Sequence, residues 1–328
     1  MDRAVPPFFV VGNPRSGTKM LRELMNGSPD LWMSEVESHF IPKFTRTIDR
    51  YGDLAERGGF ATLTAALRKT RAFWQWERRG VHLSDDEWWA ACPRHDWPGV
   101  IAGLFRCVHR REVPEPRRPW EEVLWGDKTP VYMQEVSLLA RLFPRARFVH
   151  IVRDPRDCVL STESAWGNTP LRTAQEWAER VRACRTAGRA LGPGRFHELR
   201  YEDLTTDLRK ELGRVFAFLG VPTPDDAGRL NRVPENLGAA RGAREVVGDN
   251  TEKWRTRMPP ALRREVEAIT GDLLDTYGYA REHPGLPTRE LSRSRMAAYR
   301  VRDAWRQLRF RRRELGSWAE AVRFLMAR

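Results

Sequence analysis

Four consecutive apolar residues, Phe8-Phe9-Val10-Val11, run directly into Gly12-Asn13-Pro14-Arg15-Ser16-Gly17-Thr18, and this join constrains the chain more than any other feature. The short continuous apolar run reads as a buried strand. Beyond the glycine segment, Met20, Leu21, Leu24 and Met25 fall on one helical face. Strand, glycine loop and helix in that order make the βα unit of an α/β fold. The loop is a candidate phosphate cradle, because its backbone N–H groups and the helix N-terminus would point at an anion. A Walker loop would place lysine directly after the second glycine and a hydroxyl after that. Here the order is Gly17-Thr18-Lys19, so the metal-binding hydroxyl is not in its place. Taken alone, the loop also fits an ordinary tight turn.

A second βα unit stands at Arg147-Phe148-Val149-His150-Ile151-Val152. Its strand pattern stops at Arg153-Asp154-Pro155-Arg156-Asp157, and Val159 and Leu160 open a helix. A third strand is expected over Arg195–Arg200, and an amphipathic helix over Leu208–Leu219 that stops at Gly220. Residues 41–125 carry Trp74, Trp76, Trp88, Trp89, Trp97, Trp120 and Trp125 among arginines and prolines, with no strand alternation. They read as helices and loops over one end of the sheet, on the side of a small-molecule acceptor, with most of the tryptophans open to a core role instead. The expected architecture is one α/β domain, residues 1–280, with a central parallel sheet flanked by helices and a P-loop-like cradle. An arginine-rich helical extension follows over 281–328.

The chain has 328 residues, 41% of them hydrophobic, enough for a sizeable core and against wholesale disorder. Its apolar runs stay well short of the ~20 residues that span a bilayer, and the N-terminal run is too short for a signal segment; a cytoplasmic, soluble protein is expected. Cys92, Cys107, Cys158 and Cys184 lack metal-site spacing, which argues against structural zinc and a disulfide framework. Lysine plus arginine outnumber acidic residues 57 to 44, a net +13. That balance suits polyanions without choosing among nucleic acid, membrane and a phosphorylated small molecule. Only six cations are lysine, so Lys19, Lys128 and Lys253 draw notice inside their motifs.

The segment Pro14-Arg15-Ser16-Gly17-Thr18-Lys19-Met20-Leu21 resembles the 5′-phosphosulfate loop of the sulfotransferases, enzymes that use 3′-phosphoadenosine 5′-phosphosulfate (PAPS) and release PAP. Three further segments agree in order. Phe148–Ser161, with Arg153 and Ser161 eight apart, is similar to the family's 3′-phosphate motif. Gly126-Asp127-Lys128-Thr129-Pro130 resembles the Lys-Thr/Ser-Pro segment of Golgi-type and bacterial members. Arg200-Tyr201-Glu202-Asp203-Leu204 resembles the region whose tyrosine lies near adenine. The likeness covers roughly residues 8–280.

This resemblance implies PAPS as sulfuryl donor, with Arg15, Ser16, Gly17, Thr18, Lys19 and Met20 at the 5′ end and Arg153 and Ser161 at the 3′-phosphate. Tyr201 is implied near adenine, or else packs at the sheet edge. Lys128 is implied at the bridging oxygen, where an ammonium can stabilise charge and share a proton. Transfer of this kind is in-line and loose, so positioning and electrostatics dominate, and no metal is needed. In Golgi-type members the base is a glutamate nineteen residues past the loop threonine, which lands on Glu37; His39 completes a Glu-x-His-Phe pattern. Glu35 is the alternative, from tyrosylprotein-type members. Lys253 and Arg255, in a stretch with Arg241, Arg244 and Gly248-Asp249-Asn250, are carried over as 3′-phosphate contacts.

The acceptor expected is a hydroxyl or amine of a carbohydrate-containing or aromatic bacterial metabolite. A P-loop kinase or NTPase is the competing class, disfavoured by the displaced hydroxyl; a basic nucleic-acid binder leaves the four motifs unexplained. In the tail, Ala298, Val301, Trp305, Leu308, Arg312, Leu315, Ala319 and Val322 repeat at three and four. Arg312 within this stripe favours burial against the domain or a homodimer over a membrane surface.

Overall fold

The computed structural model describes residues 6–228, 230 and 250–319. The apolar run forms β1 (Phe8–Gly12), and α1 (Thr18–Met25) follows the loop. Then come β2 (Leu31–Met33) and five helices: α2 (Ile41–Thr45), α3 (Arg57–Leu67), α4 (Arg71–Arg78), α5 (Asp85–Ala91) and α6 (Trp97–Glu112). Strand β3 (Leu124–Lys128), α7 (Val136–Leu142), β4 (Arg147–Val152), α8 (Pro155–Trp166), α9 (Pro170–Leu191) and β5 (Phe196–Arg200) complete the sheet and its crossovers. Helices α10 (Tyr201–Thr206), α11 (Leu208–Leu219), α12 (Trp254–Arg257), α13 (Pro260–Thr276) and α14 (Arg293–Leu315) close the described chain. None of the described helices is long and apolar enough to cross a membrane.

The sheet order is β2-β3-β1-β4-β5, parallel throughout. A parallel sheet is covered on both faces, so its strands are apolar on both sides. In β1, Phe9 and Val11 enter the larger core, with Phe148 and Val152 of β4 and the helices between α2 and α9. Phe8 and Val10 enter the other, with α1, α10 and α11. The expected single α/β domain with a central parallel sheet is what forms.

Three local expectations differ. Helix α8 begins at Pro155, before Val159, because proline suits the first helical position and Asp154 caps the end by accepting from Arg156 N. Strands β2 and β3 are additional to those expected; β3, Leu-Trp-Gly-Asp-Lys, is buried at every position although it ends in two charges. The tryptophans of 41–125 are largely interior: Trp76, Trp88, Trp97 and Trp125 belong to the larger core, and Trp74 is exposed.

The tail helix docks, but not through its apolar stripe. Met296 and Asp303 are buried, whereas Val301 and Trp305 are 63% and 61% exposed. Asp303 accepts from Thr169 N and Oγ1 and from Arg172, which fixes the opposite face of α14 to the start of α9. The stripe residues Leu315 (its side chain) and Val322 lie outside the described residues.

Two buried polar clusters hold the chain ends of the strands. After β4, the Arg156 guanidinium is enclosed. It bonds both Asp154 oxygens at 3.0 and 2.7 Å and Glu267 Oε1 at 2.7 Å, and lies 3.5 Å over the Trp254 ring. Removing one member of such a set strands the others as uncompensated charges. After β3, Asp127 accepts from Ser38 Oγ and, at 2.8 Å, from Thr129 Oγ1. Ser38 gives its one proton to Asp127, so Tyr132 OH donates to Ser38 at 2.7 Å and accepts from Ile41 N at 3.1 Å. Ser38 N donates to Thr129 Oγ1 at 3.1 Å. This network pins the 34–41 segment across the end of β3.

Arg156→Ala should therefore destabilise the protein by about 3–5 kcal/mol, read from urea unfolding; a loss within the range of a surface substitution would mean the cluster is solvated. Asp127 gives a pH test. Burial pushes its carboxyl up to about 6, against the opposing effect of its two hydroxyl donors. A carboxyl that titrates higher in the native state than in the unfolded chain weakens the fold once ionised. Its cost is absent below about pH 4 and grows as pH rises through about 6. Relative to Asp127→Asn, the wild type should lose roughly 3 kcal/mol between about pH 4 and pH 7. A pH-independent difference would contradict the buried titration.

Candidate active site

Residues 13–17 turn the chain from β1 into α1 with two residues in the left-handed region, Arg15 (φ 74) and Gly17 (φ 88). At Gly17 only glycine fits, because a Cβ would come within 2.5 Å of the Tyr201 ring. Arg15 carries a side chain in that region, a strain that concentrates at functional loops. Ser16 is fully buried, its N donating to Asn13 O at 3.1 Å and its Oγ 3.5 Å from Cys158 Sγ. Thr18, Lys19 and Met20 form the first turn of α1, whose N–H groups lack intrahelical acceptors. The Met20 side chain is packed in the core, which leaves its N–H as its contribution to an anion site.

The structure joins this loop to the second motif. Arg15 Nε donates to Ser161 Oγ at 3.0 Å, and Arg153 Nη1 donates to Arg15 O at 3.1 Å. Arg153 is nearly enclosed; its Nη2 donates to Asn250 O, and its Nε has no hydrogen-bond partner among the described residues. Its guanidinium lies 4.4 Å over the Tyr201 ring, and Tyr201 OH accepts from Asn250 Nδ2 at 3.0 Å. Tyr201 is thus buried between Gly17 and Arg153. Asn250 is a member of this cluster that the sequence reading noted only inside a looser motif.

Lys253 and Arg255 flank the buried Trp254, whose N donates to Asp157 Oδ1 at 3.0 Å. Lys253 is half-buried at the start of α12. Arg255 is exposed and pairs with Glu252 at 2.8 Å, so it is not among the residues that join Arg15, Arg153 and Ser161. Arg241, Arg244, Gly248 and Asp249 lie outside the described residues.

On the other side of β1, Lys128 ends β3 with its side chain 1% exposed, and its Nζ donates to Glu37 Oε1. The second oxygen of Glu37 meets His39 Nε2 at 2.9 Å. His39 also has left-handed backbone (φ 55), as do Arg15 and, beside Lys253, Glu252 (φ 53). Burial would raise the Glu37 carboxyl, but the Lys128 ammonium and His39 outweigh it and hold the carboxyl well below the usual range. Burial lowers the proton affinity of Lys128, with Glu37 opposing and the charges of Arg22 and Lys19 adding to the fall.

Glu35 is engaged elsewhere: its carboxylate pairs with Arg79 and its backbone O accepts from Arg22 at 2.9 Å. Glu112, absent from the sequence reading, accepts from Ser34 Oγ at 2.8 Å, and burial pushes it up to about 7. It carries no local motif; only the fold brings it beside residue 34.

The arrangement has two parts. Arg15, Arg153, Ser161 and the loop amides form a donor-rich cluster suited to phosphate-like anions. Lys128 and Glu37 form an ion pair at the end of the neighbouring strand, a chemistry that can offer a cation to developing negative charge and a carboxylate to a proton.

A profile of the Sulfotransferase family matches residues 6–225, two thirds of the chain and all the motifs through β5. Omega-hydroxy-beta-dihydromenaquinone-9 sulfotransferase Stf3 of Mycobacterium bovis is 26% identical, over 86% of this chain and 77% of its own. Carbohydrate sulfotransferase 5 of Mus musculus is 29% identical, over 87% of this chain and 83% of its own. Among solved structures, the sulfotransferase domain of the Synechococcus PCC 7002 olefin synthase shares the fold with a TM-score of 0.55 and 23% identity, over 84% of this chain and 95% of that domain. With strand, loop and displaced hydroxyl all inside the matched region, the chain belongs to the sulfotransferase family rather than to the P-loop kinases.

Proposed function

We propose that this sulfotransferase takes its sulfuryl group from PAPS and passes it to a hydroxyl of a carbohydrate-containing or aromatic small molecule, with Glu37 as base and Lys128 and Arg15 stabilising the leaving group. The observation that carries the reading is topological. Strands β3, β1 and β4 are adjacent and parallel, so the segments leaving their carboxyl ends share one edge of the sheet. Those segments hold Lys128, the 13–17 loop and Arg153.

The residues present fit the donor. Arg15, Arg153 and Ser161 supply charge and hydroxyl hydrogen bonding, and the buried Arg153 Nε has no acceptor among the described residues. When bound, PAPS supplies a sulfuryl group on a phosphate leaving group. The 13–17 loop and Arg15 suit its 5′ end, and Arg153 with Ser161 its 3′-phosphate. Tyr201, sandwiched by Gly17 and Arg153, supports the wall of that site more than an open stacking face.

Glu37 is a weak base while Lys128 holds it. An anion that draws the ammonium off Glu37 removes the main lowering influence and lets burial raise the carboxyl. The same movement thus arms Lys128 for negative charge and Glu37 for proton uptake. The Arg79 pair leaves Glu35 less suited to that role. An alcohol acceptor is supported by the relatives, whose names specify a hydroxylated quinone and carbohydrate.

Two measurements test this. Glu37→Gln should lower kcat by about 10²–10⁴-fold in transfer from radiolabelled PAPS, while PAP affinity holds. Activity lost with Glu35→Gln and kept with Glu37→Gln would move the base to Glu35. Arg153→Ala should weaken PAP by about tenfold or more while sparing adenosine 5′-phosphosulfate, which has no 3′-phosphate. Equal losses for both ligands would refute the assignment of Arg153.

A further inference from the structure

Among the described residues, the apolar ridge on the outer face of α14 takes no part in the site or in the core clusters. Among the described residues, four large hydrophobic side chains are more than a third exposed: Trp74, Val301, Trp305 and Trp318. Three of them lie in this segment. The helix is seated by its other face, through buried Met296 and Asp303. At 3.6 residues per turn, Ala298, Val301, Trp305 and Leu308 form a ridge opposite those two anchors. Arg302, Arg306 and Arg309 run along one side of the ridge, Arg293 and Arg300 along the other, all exposed. Arg312, on the ridge line itself, is exposed and lies 4.6 Å over the Trp318 ring. Residues 293–319 hold nine arginines against two acidic residues, and one of those two is the buried Asp303.

We propose that this face lays α14 flat on an anionic lipid surface, with the Val301–Trp305 ridge entering the headgroup boundary and the flanking arginines binding lipid phosphates. An apolar ridge bordered by arginine and carrying tryptophan is the pattern of an interfacial helix. Indole places an apolar body and a polar N–H at such a boundary, and arginine stems extend the apolar surface while their heads stay wet. The charge distribution selects lipid over a second copy of the chain. A two-fold pairing of ridges would set the arginine rows of two copies against each other, and the whole chain is already at +13. Anionic headgroups are the complement of those rows. Nucleic acid would answer the arginines but leave the ridge in water. Arg302 and Arg306 also bond Thr169 Oγ1 and Gly167 O, which uses only part of each guanidinium's five donors. Because Asp303 already fixes the helix to α9, the ridge is presented preformed, with little left to order on binding. The sequence preference for burying the stripe rested on Arg312 needing an acidic partner; its exposure removes that argument.

Full-length protein should co-sediment with vesicles of phosphatidylcholine containing phosphatidylglycerol, and not with phosphatidylcholine alone. Val301→Ser with Trp305→Ser should lower partitioning about tenfold or more, and Arg309→Gln with Arg312→Gln about fivefold per charge at low salt. Both variants change exposed residues, so their unfolding temperatures should match wild type, and transfer activity on a soluble acceptor should persist. Full vesicle binding by the ridge variant would reduce the tail to a generic polycation and overturn the proposal. So would equal binding to neutral vesicles, absence of any vesicle binding, or a doubled mass in light scattering that the ridge variant abolishes.

Discussion

A lysine side chain shut away from water needs a counter-charge, and for Lys128 it is Glu37. Much of the architecture around the site serves that one contact. Asp127, Ser38, Thr129 and Tyr132 clamp the 34–41 segment onto the end of β3, so the carboxylate arrives at the ammonium rather than in solvent. The pair is a poised state, not a strong one. Burial works against both charges, and each partner keeps the other ionised. A ligand that competes for the ammonium therefore changes both groups at once.

The neighbouring anion cluster is built on the opposite principle. Arg15 and Arg153 contact each other's surroundings, through Ser161 Oγ and Arg15 O, and Asp157 lies 3.8 Å from Arg153. Arg156, three residues on, is saturated by Asp154 and Glu267. One arginine in this short stretch is thus neutralised to hold α8 and α13 together, while another retains positive potential toward the loop. Spacing along the sequence places Asp154 beside Arg156, but the second carboxylate that saturates it, Glu267, comes from α13, more than a hundred residues away.

How much was legible follows from the same physics. Strands β1 and β4 and the cradle could be read because short apolar runs bounded by glycine or proline leave a local trace. Strand β3 could not, since Gly126, Asp127 and Lys128 look like a loop until the flanking strand and the Ser38 network bury them. Lys128 and Glu37 were each implied by family likeness, but their pairing was not, because residues 91 apart share no pattern. Glu112 left no trace for the same reason. In the tail, periodicity found the apolar stripe but not the face that docks. A single buried carboxylate, Asp303, and its donors at Thr169 and Arg172 decide that.

The central claim is that one ligand spans the Arg15–Arg153–Ser161 cluster and releases Glu37 from Lys128. A crystal structure with PAP tests it most directly. The account predicts one phosphate against residues 13–18, the other against Arg153 and Ser161, and the Lys128 ammonium turned from Glu37 toward the 5′ end. PAP bound with the Lys128–Glu37 contact intact, or with its 3′-phosphate away from Arg153, would contradict it.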